Sequence, residues 1–169
     1  MNFEAAFNAM IGNEGNYSND AKDPGNWTSG HCGEGQLKGT KYGISAASYP
    51  LLDIKQLTLA DAMAIYQRDF WTPLNVDGNQ IPEQVRFDLF DTAVNSGHNT
   101  AVKLLQQAVN VKADGNIGPI TRSAIAGMPP ELLDKRFSAA RLLYLTRLDK
   151  FPIYGKGWVN RIANNLLKD

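Results

Sequence analysis

A mainly helical fold is what this chain of 169 residues predicts, and three observations carry that expectation. Apolar residues recur at helical spacing through most segments. Pro, Thr and Gly stand where those segments begin and end. No stretch shows the sustained two-residue alternation of a strong strand. The expected architecture is a helical globule with a long loop or small hairpin.

The first helix is marked by Phe3, Phe7, Met10 and Ile11, with Glu14 continuing the same stripe and Gly15 at the left-handed C-cap position. Residues 26–39, rich in Gly, Asn, Thr and Ser, have no clear period and read as a long loop or short hairpin over a cleft. A short helix is expected over 44–52. Thr58 and Asp61 form a capping-box variant that opens a helix to about Trp71, with Leu59, Ala62, Met63, Tyr66 and Phe70 buried. Pro82 starts the next helix, which runs to about Ser96 and is apolar around much of its surface. A helix over 101–109 follows, with Val102, Leu105, Ala108 and Val109 inward. Asp114-Gly115 then makes a turn and Gly118-Pro119 starts another helix. Pro129-Pro130 opens a long helix to about Phe151, and Trp158, Ile162 and Leu166 mark the last one.

Composition narrows the function. No apolar run approaches the roughly 18 residues that would suggest a membrane span. No basic-then-apolar leader precedes the first helix, so the expectation is synthesis in the cytoplasm without a secretory signal. The single cysteine, Cys32, excludes an internal disulfide, and with only His31 and His98 beside it a zinc site is poorly supplied. No metal or cofactor is implied. Net charge is zero but unevenly spread. Residues 1–100 hold 6 Lys/Arg against 12 Asp/Glu, and residues 101–169 hold 11 against 5. A basic second half suits an anionic polymer, and equally a set of solvated helix faces.

Glu14 is the residue that bears chemistry. A carboxylate on the inward stripe of a helix, at its C-terminal end, is partly desolvated and meets the negative end of the helix dipole. Both effects raise its pKa, which is what a general acid at neutral pH requires. A fraying last turn that lets Glu14 reach water is the plain alternative. Asp20 and Asp23 follow in a loop dense in turn formers. Either could act as a second carboxylate or simply bond its own backbone, and Asp20 leans to the turn role.

Asn13-Glu14-Gly15-Asn16-Tyr17-Ser18-Asn19-Asp20, Asp23-Pro24-Gly25 and Thr40-Lys41-Tyr42-Gly43-Ile44-Ser45 together resemble glycoside hydrolase family 108. These are lysozyme-like N-acetylmuramidases, many of them phage endolysins. Asn16 replaces the second Gly of the family pattern, and 26–39 is an insertion where that pattern is short. The end of the central helix, Asp91 to Gly97, also follows the family. Asp114-Gly115, Gly118-Pro119 and Thr121 resemble a peptidoglycan-binding signature.

The resemblance implies a lysozyme-like helical fold with a catalytic region over 1–98 and a peptidoglycan-binding-like region over 99–169, packed as one compact body. It implies a bacteriolytic hydrolase of the β-1,4 bond between N-acetylmuramic acid and N-acetylglucosamine, released to the wall through a pore or by lysis. Glu14 is then the proton donor, with Asp23 and Thr40 on the opposite face of the sugar. Tyr42, Asn95 and Trp27 are the candidate substrate-binding residues, although Asn95 also suits an ordinary helix end and Trp27 a loop anchor. A monomer that binds peptidoglycan, with no nucleic acid and no stable membrane insertion, is expected. The alternatives are a lytic transglycosylase and a non-catalytic wall-binding module. A separation of roughly 6.5–9.5 Å between the two carboxyls implies inversion, and roughly 5–5.5 Å implies retention.

Overall fold

The computed structural model describes residues 1–11 and 16–167. The chain forms two compact units, one over Phe3–Arg68 and one joining Met1–Asn2 to Asp69–Asp169. Among the described residues the architecture is mainly helical, with one two-stranded sheet.

In the first unit, α1 (Phe3–Ile11) buries Ala6 and Phe7 completely. The Phe7 ring meets Tyr66 of α2 (Leu59–Tyr66) edge-on, with centroids 5.5 Å apart. The capping box at α2 forms as its residues predict. Thr58 Oγ1 accepts from the Asp61 amide, and Asp61 accepts from both the amide and the hydroxyl of Thr58. Those bonds, the hydroxyl first, hold the Asp61 carboxyl below its ordinary range.

Two expectations fail in this unit. Residues 44–52 are not a helix. Thr40–Lys41 (β1) and Ile44–Ser45 (β2) pair antiparallel, Thr40 opposite Ser45 and Lys41 opposite Ile44. Tyr42 and Gly43 between them have φ of 51° and 74°, the left-handed pair of a type I′ hairpin. A Cβ on Gly43 would lie 2.5 Å from the Tyr66 hydroxyl, which itself donates to the Tyr42 carbonyl. Beyond β2 the chain turns, and Asp53 caps a single 3-10 turn over Ile54–Gln56. The helix opened at Leu59 does run through Trp71 as expected, although it becomes π-helical over Gln67–Trp71 before the short α3 (Thr72–Leu74). Leu59 faces outward at 45% exposure, so the inward stripe of α2 is Ala62, Ile65 and Tyr66.

In the second unit, α4 (Glu83–Ser96) is the buried centre. It packs with α5 (His98–Ala108) and α7 (Pro130–Leu145), and α8 (Phe151–Leu166) packs on α7. The short α6 (Pro119–Ala126) begins at the expected proline. The helix opened at Pro130 ends at Leu145, not near Phe151. Thr146 bonds back to Leu143 at that end, and α8 restarts with Pro152 in its first turn.

Candidate active site

The motif-bearing loop is built on backbone pairing. Ser18 and Thr40 exchange hydrogen bonds at 2.9 and 2.8 Å, so the loop that follows α1 is laid against β1 of the hairpin. Asn26 ties the two ends of the insertion together. Its carbonyl accepts from the amides of Lys38 and Gly39, both at 3.0 Å, and its fully buried side chain donates to the Asp20 carbonyl. Gly39 turns the chain with φ of 85°, and a Cβ there would strike the Ser18 carbonyl and the Tyr17 ring. Residues 27–37 therefore form a closed excursion, braced by the Trp27–Leu37 bridge and by Thr28 donating to the Gln36 carbonyl. Thr40 is returned to the same framework that holds Asp23.

The candidate side chains take these places. Asp23 caps the 3-10 turn Pro24–Asn26, its Oδ1 accepting from Gly25 at 2.8 Å while Oδ2 has no partner among the described residues. Asp20 is exposed and accepts from the Lys22 amide, the turn role its setting suggests. Thr40 is half-buried, and its hydroxyl is uncommitted among the described residues. Tyr42 is half-buried, with the Lys41 ammonium over its ring. Trp27 donates its indole N–H to the Ala21 carbonyl at 3.0 Å, which anchors the start of the excursion. Glu14 lies outside the described residues. Cys32 and His31 are exposed on the excursion.

Asn95, the remaining candidate, belongs to the helical unit. Its amide donates to the carbonyl and carboxylate of Asp91, and its Oδ1 accepts from Arg161. These bonds join a buried polar cluster that the sequence did not reveal. Arg141 of α7 pairs with Asp88 at 2.6 Å and with Asp91, both on α4. Asn165 donates to Asp88 and Arg161 pairs with Asp91 from α8. Asp88 and Asp91 are 2% and 1% exposed, and cations from other helices compensate the two buried carboxyl groups. Polar residues on the buried side of a helix were the available signal. Their partners lie from 50 to 77 residues away in the chain, beyond the reach of periodicity.

The Asp114-Gly115 motif also proves to be built around a residue the sequence reading passed over. Gln106 of α5 is 1% exposed. Its amide donates to Asp114 Oδ1, the Asn116 carbonyl and Thr121 Oγ1, and its carbonyl oxygen accepts from Gly115. In this structure the motif is a clasp that fixes the turn and the start of α6.

Residues 7–97 match the family described as Glycosyl hydrolase 108, and residues 100–163 match the one described as Predicted Peptidoglycan domain. A solved structure titled "Structure of Brucella abortus SagA" is similar with a TM-score of 0.76 and 32% identity, over 96% of this chain and 90% of that one. No curated protein matches. Fold and matched segments together define a mainly helical glycosidase directed at peptidoglycan. The chain belongs to the glycosyl hydrolase 108 family. The boundary between the two matched segments follows α4, yet α4 is packed with α5 and α7 in one unit. The Asp88 and Asp91 pairings with α7 and α8 supply the reason.

Proposed function

We propose that the protein is an N-acetylmuramidase that cleaves the β-1,4 bond between N-acetylmuramic acid and N-acetylglucosamine. Glu14 protonates the leaving oxygen, and Asp23 and Thr40 serve the opposite face of the sugar. The observation that carries this reading is the family match over 7–97, which spans Glu14, Asp23, Thr40 and Tyr42 in one motif-bearing segment. The geometry of the described residues supports it. Among the described residues Asp23 Oδ2 and the Thr40 hydroxyl are uncommitted, on a framework held by the Ser18–Thr40 pairing and the Asn26 carbonyl. One uncommitted carboxylate oxygen and one hydroxyl are suited to orienting a water.

The test combines a variant with product analysis. Glu14→Gln is expected to lower release of reducing ends from purified sacculi by roughly 100-fold or more, the scale of a lost general acid, with an unchanged circular dichroism spectrum. Wild-type products are expected to carry ordinary reducing muramic acid. Anhydromuramyl ends would reassign the chemistry to a transglycosylase, and near-normal cleavage by Glu14→Gln would remove Glu14 from the site.

A further inference from the structure

We infer that the helical unit carries its own binding groove for the free carboxylates of the peptide attached to the wall glycan. The inference rests on the reading of peptidoglycan as substrate and adds which part of it this unit holds. Two open pockets share Leu104 and Tyr144 on their walls and so adjoin across α7. The first is lined by Asn95, Trp158 and Arg161, and the second by Arg136, Leu143 and Arg147.

Their charge is one-sided. Among the described residues Asp91 is the only carboxylate on either wall; it is 1% exposed and already engaged by Arg141 and Arg161. Arg161 is held at Nε by Asp91, at 2.9 Å, and at Nη1 by Asn95, at 3.1 Å, which among the described residues leaves Nη2 uncommitted on a side chain 44% exposed. Arg136 and Arg147 are exposed and make no ion pair among the described residues. Guanidinium groups match planar carboxylates in geometry. Between them Tyr144, Trp158, Leu143 and Leu148 offer apolar surface suited to short aliphatic side chains.

On a peptide-substituted muramyl sugar the lactyl carboxyl is consumed in the amide link to the peptide. The remaining carboxylates are then on the peptide, and a groove that presents guanidinium groups selects that portion over the uncharged glycan.

Binding is measured on full-length Glu14→Gln protein by calorimetry and by NMR of the Trp158 indole. The probes are a disaccharide-tetrapeptide, the free tetrapeptide and a peptide-free disaccharide whose lactyl carboxyl is capped as a simple amide. The two peptide-bearing probes are expected to bind and to shift Trp158, and the peptide-free disaccharide to leave it unmoved. Arg136→Gln/Arg147→Gln, introduced into the same protein, is expected to weaken both by at least roughly 10-fold, the scale of one lost charge-assisted hydrogen bond. In an otherwise wild-type chain the pair is expected to leave cleavage of peptide-free glycan unchanged. Equal binding of the peptide-free disaccharide, or unaltered affinity in the arginine variant, would overturn the inference. Displacement by poly(glycerol phosphate) at equal charge would overturn it too, by assigning the groove to phosphate. Failure of the hydrolase reading shows separately, as no release of reducing ends from sacculi by the wild-type chain.

Discussion

Gln106 Nε2 lies 2.8 Å from Asp114 Oδ1, and through that bond a buried amide on α5 holds the turn that starts α6. The same side chain accepts from the Gly115 amide and donates to Asn116 and Thr121, so one truncation strips partners from four groups. Gln106→Ala is expected to destabilise the protein by about 3 kcal/mol, the cost of leaving buried polar groups unpaired. Urea denaturation measures it. A loss below about 0.5 kcal/mol, typical of surface changes, would mean that the clasp is not what fixes the turn.

The clasp also carries a pH signature. Asp114 is held below its ordinary 3.8, by Gln106 first and then by the Asn116 amide. A carboxyl depressed in the folded state stabilises fully above its unfolded value and loses that contribution as pH falls through its folded one. Asp114 therefore adds nothing to the pH dependence at neutrality and contributes to acid unfolding only below about pH 4. Asp114→Asn is expected to lower stability at pH 7 and to flatten the loss below about pH 4, so that the two curves converge in acid. Thermal denaturation at a series of pH values reads this directly, and parallel curves would refute it.

Arg141 is 5% exposed and faces Asp88 and Asp91 together. Arg141→Met leaves two buried carboxylates with less compensation, and the expected cost is about 3–5 kcal/mol. Adding Asp88→Asn and Asp91→Asn is expected to restore part of it, because the penalty lies in uncompensated charge and not in lost packing. Chemical denaturation of the single and triple variants decides between the two causes. A triple variant no more stable than Arg141→Met would place the cost in packing.

Which parts of this molecule were legible follows from how local their causes are. The Thr58–Asp61 box, the proline at the start of α6 and the glycine after Ser96 act within one helical turn, and all three stand where the sequence puts them. The 40–45 hairpin was missed because a left-handed Tyr42 is not the Asn-Gly signature of such a turn. What fixes it is Tyr66, twenty-four residues on, bonding the Tyr42 carbonyl. The end of α7 was missed because no glycine or proline marks 146–150. Asp23, Thr40 and Tyr42 could be named from motifs and Trp27 as the one large apolar ring in its loop, but the commitments of Asp23 Oδ1 and of the Trp27 indole appear only in three dimensions. Gln106, Asp88 and Arg141 were illegible for one shared reason. Each is a polar residue made tolerable in the core by partners brought from other elements.

The tip of the excursion, residues 29–35, is expected to be removable without disturbing its base. Asn26 accepts from both Lys38 and Gly39, and Trp27 is anchored on the Ala21 carbonyl, so closure does not depend on the tip. Thr28 already donates to the Gln36 carbonyl as across a hairpin. Replacing residues 29–35 with Asn-Gly supplies a type I′ turn at that point. Thr40 should stay paired with Ser18, and the expected outcome is a folded protein that cleaves peptide-free glycan within about threefold of the wild-type rate, a change under 1 kcal/mol in the barrier. Steady-state kinetics on soluble glycan and on intact sacculi check it together. A rise in KM on both substrates with kcat unchanged would show that the tip binds the sugar chain uniformly in ground and transition states. A fall in kcat would show that it helps hold the Ser18–Thr40 framework in place.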